Sequence, residues 1–146
     1  MKGISYSFCD WVIERIKANL GEQLPAELVL DERKEDLAQS IKKAVNSGLA
    51  ACVVVGVGNI TPQGGRADDT QCEIEVNIAV LHNAKMKPSF DSRLFTEHLY
   101  SKFAGAEYEI PPFTAVNVRA GRLSTEGNDK KMHMFTVSYL KMLKGV

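Results

Sequence analysis

Apolar residues recur at helical spacing near the N-terminus of the chain. They stand three or four residues apart, as on one face of an amphipathic helix, at Phe8, Trp11, Val12, Ile16 and Leu20. Gly21 follows at a position where helices commonly end. This pattern predicts a first helix over residues 7–20, begun by Ser7 and packed through its apolar stripe.

Two more helices are predicted further along the chain. A short strand over residues 27–30 leads to Asp31, which we expect to cap a second helix running to Asn46. A third helix is expected over residues 89–103, ending near Gly105. The charged start of the second helix is typical of a solvated first turn with local ion pairs.

Strand patterns fill the rest of the sequence. The valine-rich stretch 51–58 indicates a strand, and a polar loop over residues 59–70 separates it from strict alternation over residues 72–80. In that second strand one face carries Cys72, Ile74, Val76, Ile78 and Val80. Two final strands, 115–124 and 133–142, are joined by a polar loop over residues 125–131.

The predicted order of elements is α-(β)-α-β-β-α-β-β. Two hairpins separated by a helix predict an α+β fold, with a mainly antiparallel sheet of about four to five strands and helices packed on one face. A length of 146 residues suits a single domain, residues 1–146, with a core that needs neither disulfide nor metal.

Composition narrows the possible partners. Eighteen basic residues balance eighteen acidic ones, so no net field draws the whole chain to nucleic acid or anionic lipid. The longest apolar run, residues 49–57, is too short to cross a bilayer, and no signal-peptide pattern begins the sequence. An odd count of three cysteines, without a C-x-x-C pair, predicts reduced and buried thiols in an intracellular protein.

The stretch VVVGVGNI, residues 53–60, raises the question of a phosphate-binding loop. A dinucleotide fingerprint needs a third glycine and a helix after the turn, whereas here Thr61 stands at the third position and another strand follows. We therefore interpret Gly56 and Gly58 as the end of a strand before a hairpin. A small ligand-binding domain or enzyme using residues 56–69 remains the alternative.

The loop beyond that strand is a candidate contact segment. It is long for a hairpin connection, as functional loops often are, and carries Gly64, Gly65, Arg66, Asp68 and Asp69. Two adjacent aspartates without further carboxylates at defined spacing are weak evidence of a metal site. We expect neither metal nor cofactor, and favour a loop that orders on contact with a partner.

Other reactive side chains form no recognisable catalytic motif. His82, His98 and His133 lie on separate predicted elements, and no thiol is brought near them by the sequence pattern. Glu73 and Glu75 share one strand face, which favours a solvated or subunit-facing surface over paired catalytic carboxylates.

Basic residues form three modest pairs, at Lys85 and Lys87, Arg119 and Arg122, and Lys130 and Lys131. They lack interleaved aromatic residues of the kind that stack on bases. We therefore expect no specific recognition of nucleic acid.

The organisation resembles that of small tail-terminator and minor tail proteins of long-tailed bacteriophages and prophages. The resemblance covers the amphipathic helix 8–20, the strand pair 51–80 with its Gly-Gly-Arg-Ala-Asp-Asp loop, the helix 89–103 and the final hairpin 115–142. It implies an α+β subunit without an active site, which assembles as a ring at the end of a tail tube.

The same resemblance implies where contacts lie. The partners would be other copies in a ring-like homo-oligomer and other tail proteins, with no membrane partner, and the subunit would reside in the cytoplasm of the bacterial host before entering a virion. Exposed strand faces and loops would carry the contacts, through Gly64, Gly65, Arg66, Asp68, Asp69, Glu73, Glu75, Arg119, Arg122, Asn128, Asp129 and Lys130.

Overall fold

A computed structural model describes residues 4–63, 71–108, 117–126 and 130–142. Its elements follow in the order α1 (Ile4–Ala18), β1 (Val29–Asp31), α2 (Leu37–Val45), β2 (Ala51–Gln63), β3 (Gln71–Asn83), α3 (Ser92–Phe103), β4 (Asn117–Glu126) and β5 (Lys130–Met142). A 3-10 turn, Ala26–Leu28, precedes β1. The α+β class predicted from the sequence is confirmed.

The described strands form one mixed sheet. Four long strands are joined at one edge by the three-residue β1, in the spatial order β1-β2-β3-β5-β4. The pair β1–β2 is parallel and the other three pairs are antiparallel, which corrects the prediction of a mainly antiparallel sheet. The reason is that α2 carries the chain back between β1 and β2, so that both strands run in the same direction.

One face of the sheet holds the main core. The predicted inward positions of β3 from Ile74 to Val80 are buried, with at most 1% of each side chain exposed. They pack with apolar side chains from the neighbouring strands and from α1 and α3, including Phe8, Val12, Ile16, Phe95, Leu99, Phe103, Phe135, Val137 and Tyr139. Burial of these side chains is the main source of stability.

Helix α2 lies on the opposite face of the sheet. Its residues Ile41 and Val45 border the same cavity as Leu81 and Met132, which alternate away from the core-facing Val80. The prediction that helices pack on one face is therefore wrong. The second face carries apolar side chains of its own near Leu81, including the fully buried Cys52. Helix α2 covers these side chains.

All three helices begin at residues other than those predicted. Helix α1 already begins at Ile4, so Ser7 lies inside it and does not cap it. Helix α2 begins at Leu37, because Asp31 belongs to β1 and its carboxylate accepts hydrogen bonds from Arg33 instead of capping a helix. The charged run after β1 is thus a set of turns.

Helix α3 begins at Ser92 instead of residue 89. The carboxylate of Asp91 accepts a hydrogen bond from the backbone N–H of Leu94 at 3.0 Å, which satisfies one free donor of the first turn. The Leu94 side chain is 60% exposed.

The loops are shorter than the sequence suggested. Strand β2 continues to Gln63, so much of the predicted 59–70 loop is strand, and residues 64–70 lie outside the described part. Strand β4 ends at Glu126 and β5 begins at Lys130, which shortens the predicted 125–131 loop. The predicted extended segment 109–113 also lies outside the described residues.

Candidate assembly surface

The two glycines of VVVGVGNI lie inside β2 and do not end it. A Cβ on Gly58 would lie 2.9 Å from the carbonyl oxygen of Glu75 on β3, and a Cβ on Gly56 would collide with the carboxylate of Glu32. The element after β2 is strand β3, so the glycines do not lead into the helix N-terminus that a phosphate-binding loop uses. Close packing accounts for both glycines.

The outer edge of β2 is paired with another strand over only part of its length. Strand β1 pairs with β2 only from Val53 to Val55, and the backbone N–H of Glu32 adds one hydrogen bond to the Val55 carbonyl at 2.9 Å. From Gly56 to Gln63, no strand of the described part of the chain lies on the outer side of β2. We call this segment, residues 56–63, the open edge.

The open edge carries both an apolar side chain and two interruptions. Ile60 is 49% exposed. The pairing of β2 with β3 shifts register between Val57 and Ile60, which marks an irregularity of the bulge type, and Pro62 has no N–H to donate. Because bulges and prolines limit strand pairing, a neighbouring strand fits this edge only over a short stretch.

The predicted contact residues Glu73, Glu75 and Arg119 lie in three different rows of the sheet. Glu73 and Glu75 are half-buried, and Glu75 shares a row with Ser138 of β5. Arg119 of β4 lies one row further on, opposite Thr136, whose hydroxyl donates a hydrogen bond to the Asn77 side chain at 2.8 Å. In backbone register, Arg119 therefore aligns with Asn77 and not with either glutamate.

Arg122 lies where the pairing of β4 with β5 shifts register, between Ala120 and Leu123. Its backbone therefore has no regular cross-strand position opposite a glutamate.

Of the remaining predicted contact residues, only Lys130 lies within the described part of the chain. Gly64, Gly65, Arg66, Asp68, Asp69, Asn128 and Asp129 lie outside the described residues. Lys130, which is exposed, pairs with Asn83, whereas Gln71, next to the 64–70 segment, pairs with Met142. Twelve strand residues at about 3.3 Å each separate Gln71 from Asn83, so these ends are about 40 Å apart.

A buried polar cluster lies under the first turn of α3, and the sequence pattern did not reveal it. Ser92 Oγ lies 2.9 Å from His133 Nε2, and the ring of His82 is hydrogen-bonded through Nε2 to the carbonyl of Lys87 at 2.8 Å. His82 and His133 continue the inward-facing series of β3 and β5. That period of two was the available signal, because it places both histidines on one face.

The chemistry of this cluster is limited by burial. Only 2% of His82, of His133 and of Ser92 is exposed, and burial lowers the pKa of both histidines below the ordinary value. The positive charge of Lys131 lowers both pKa values further. Neither Nδ1 atom has a hydrogen-bond partner among the described residues, so no carboxylate orients the Ser92–His133 pair as in a hydrolase triad.

A second polar cluster ties β1 to α1. The guanidinium of Arg33 contacts Asp31 at 2.7 Å and Asp10 at 2.5 Å, and lies 5.2 Å from the Tyr6 ring centre. The hydrogen bond from Arg33 lowers the pKa of Asp31. The side chains of Arg33, Asp10 and Asp31 are 18–33% exposed, so the ion pairs fix the short edge strand against the helix.

The thiols are spread over the fold. Cys9 and Cys52 are buried, as predicted, and burial raises the pKa of each to about 11. Cys72 is half-buried. Thiols with raised pKa values are poor nucleophiles at neutral pH, because little thiolate is present.

Within residues 4–63, 71–108, 117–126 and 130–142, no three His, Cys, Asp or Glu side chains are placed to share a metal ion. Among the helices that the structure describes, none combines the length and apolar character needed to cross a bilayer. Comparison with known proteins gave no match, either to a protein-family model or to a curated sequence.

Proposed function

We propose that this protein is a non-enzymatic structural subunit of a phage or prophage tail, which assembles as a ring in the manner of tail terminator and tail completion proteins. The observation that carries the proposal is the open edge, where Ile60 stands exposed beside backbone groups that no described strand pairs.

An open edge favours assembly for a physical reason. Its backbone N–H and C=O groups are a template for another strand, and pairing with a neighbouring chain would satisfy them while burying Ile60. The irregularity after Val57 and the proline at position 62 restrict this pairing to a short segment. Such restriction favours one specific contact over open-ended aggregation.

A ring follows if the open edge meets a different surface of the next copy. Contacts between unlike surfaces form rings when the rotation between copies closes, whereas contacts between like surfaces stop at a dimer. The far edge of the sheet, β4, is a different strand with its own outer side. It supplies the unlike surface that such a contact needs.

The alternative, a ligand-binding domain or enzyme that uses residues 56–69, has less support. Gly56 and Gly58 are interior strand residues, and each is accounted for by a close neighbour. The Ser92–His133 pair has the spacing of a nucleophile and its base. Both residues are buried in the core, however, where a substrate has no access to them.

A charge placed on the open edge tests the proposal. In Ile60→Glu the new carboxylate would lie in the proposed contact, whereas Met86→Glu places the same charge on a connector residue of equal exposure, 48% against 49%. Sedimentation velocity is expected to show a ring for the parent protein and for Met86→Glu, and smaller species for Ile60→Glu. If the sedimentation distribution of Ile60→Glu is the same as that of the parent protein, the open edge is not part of the interface.

A further inference from the structure

A groove lies between the end of α2 and the end of the sheet, far from the open edge. It has a volume of about 400 Å³, which falls within the range of about 300–1,000 Å³ that small-molecule sites occupy. Its apolar lining comes from Ile41, Val45, Leu81 and Met132, each of them half-buried. Leu81 and Met132 are cross-strand partners and present one continuous apolar wall.

The polar lining of the groove is basic. Lys42, Lys130 and Lys131 line it, and no carboxylate does so among the described residues. Lys42 and Lys130 are exposed and free to move toward a ligand, while Lys131 is half-buried. His82 lines the groove as well; burial chiefly lowers its pKa, and the positive charge of Lys131 lowers that pKa further.

The end of α2 does not cancel this positive character. Helix C-termini carry partial negative charge on their last carbonyl groups. Here the Asn46 side chain donates to the Lys42 carbonyl at 2.8 Å, and the Ser47 hydroxyl donates to the Lys43 carbonyl at 2.7 Å. Lys42 and Lys43 also lie in the last turn, so cationic side chains surround the helix end.

We propose that this groove binds a small amphipathic anion, a free molecule with one acid group on an apolar chain. The chain would lie against Leu81 and Met132, and the acid group would pair with Lys42 and Lys130. An apolar wall alone would accept any hydrophobic molecule, whereas the lysines select an anion over a neutral or cationic one. The proposal does not depend on the function proposed above.

The strand neighbour of Lys130 affects the design of the test. Glu126 of β4 pairs in backbone register with Lys130. Lys42 lies on a helix instead and lines the groove from the other side. The two lysines are therefore replaced together, in Lys42→Gln with Lys130→Gln, and the matched control replaces the exposed Lys17 and Lys102, which do not line the groove, by Gln.

The test follows methionine methyl signals by NMR while decanoate is added below its micelle concentration. Met132 lines the groove, and Met142, whose backbone pairs with Gln71 at the opposite end of β3, is the internal reference. Decanoate is expected to shift the Met132 signal to saturation and leave the Met142 signal unchanged. The affinity is expected to fall roughly fivefold to tenfold in the double variant and to stay unchanged in the control, as for the loss of two partly exposed charge pairs.

Several results would overturn the proposal. Decyltrimethylammonium is the cationic control ligand. An equal response of the Met132 signal to this cation would show that the lysines do not select an anion. If decanoate does not shift the Met132 signal, or if the double variant binds decanoate as tightly as the parent protein, the groove is not an anion site. A Met132 shift that grows with protein concentration alone would assign the groove to a second copy of the chain.

Discussion

The backbone of Gly58 packs directly against Glu75: a Cβ on Gly58 would lie 2.9 Å from the Glu75 carbonyl oxygen and 3.0 Å from the Glu75 Cβ. The carbonyl oxygen belongs to the β3 backbone, and the Cβ is bonded directly to it. Because β3 is paired with β5 along its whole length, this backbone cannot move without disturbing that pairing. Gly58 is therefore required by close strand packing.

This contact predicts different effects for the two glycines. Gly58→Ala is expected to lower the free energy of unfolding by about 1–3 kcal/mol, as for overpacking at a site that cannot relax. Gly56→Ala meets the end of the exposed Glu32 side chain, which can swing away, so its effect is expected within about 1 kcal/mol. Urea unfolding measures both, and equal losses would contradict this account of the glycines.

The buried histidines predict a loss of stability in mild acid. Their pKa values in the folded state are below the ordinary 6.5, so the unfolded state binds more protons as the pH falls below that value. The stability that neutral His82 and His133 provide is present above about pH 6.5 and is lost below it, by at most about 1.4 kcal/mol per pH unit for each histidine.

Urea unfolding between pH 7.5 and pH 5 measures this effect. His82→Gln combined with His133→Gln is expected to flatten the dependence on pH. His98→Gln is the control, because His98 is only half-buried and contacts the Asn19 carbonyl through Nε2 at 3.1 Å. A double variant with the parent slope would show that other groups cause the acid sensitivity.

The Arg33 cluster predicts a larger effect than a surface ion pair. Arg33→Met removes hydrogen bonds to both Asp10 and Asp31 and is expected to cost about 1–3 kcal/mol. Arg93→Met is the control, because the Arg93–Glu97 pair is more than half exposed on both sides, and a change within about 0.5 kcal/mol is expected.

An NMR titration of Asp31 provides a second readout of the same variant. The pKa of the Asp31 carboxyl is lowered chiefly by the hydrogen bond from Arg33, so it is expected to rise in Arg33→Met. This stabilisation is present above the ordinary pKa of 3.8 and is lost as the pH falls through the lower folded value. An unchanged pKa would show that Arg33 does not hold this carboxylate.

Thiol labelling tests the burial of the cysteines. Cys9 and Cys52 are fully buried with pKa values of about 11, so a thiol reagent at pH 7 is expected to modify them only as fast as the protein unfolds. Half-buried Cys72 is expected to react first. Peptide mass spectrometry of the labelled sites distinguishes the three, and rapid native labelling of Cys52 would contradict its place beneath α2.

Local periodicity predicted the elements and much of the core. The inward positions of β3 were read correctly because a period of two directly specifies which side chains share a face. Asp31 shows the limit of such reasoning. A charged residue before an amphipathic stretch resembles a helix cap, yet its carboxylate binds Arg33 and its backbone pairs with Val55, both of which depend on tertiary contacts.

The candidate site was less accessible from the sequence than the fold. Exposure of Ile60 follows from the short length of β1, which pairing with β2 determines and no local pattern reveals. The separation of Lys130 from Gln71 along the sheet is likewise a consequence of antiparallel register. Proximity between His133 and Ser92 required knowing which strand lies under α3.

The mass of the parent protein in solution tests the central claim most directly. Light scattering over a range of concentrations, with and without tail-tube protein, compares the measured mass with the 16.1 kDa of one chain. We expect a discrete multiple of that mass, as for a closed ring. A mass of one chain at every concentration, unchanged by tail-tube protein, would contradict the proposed assembly.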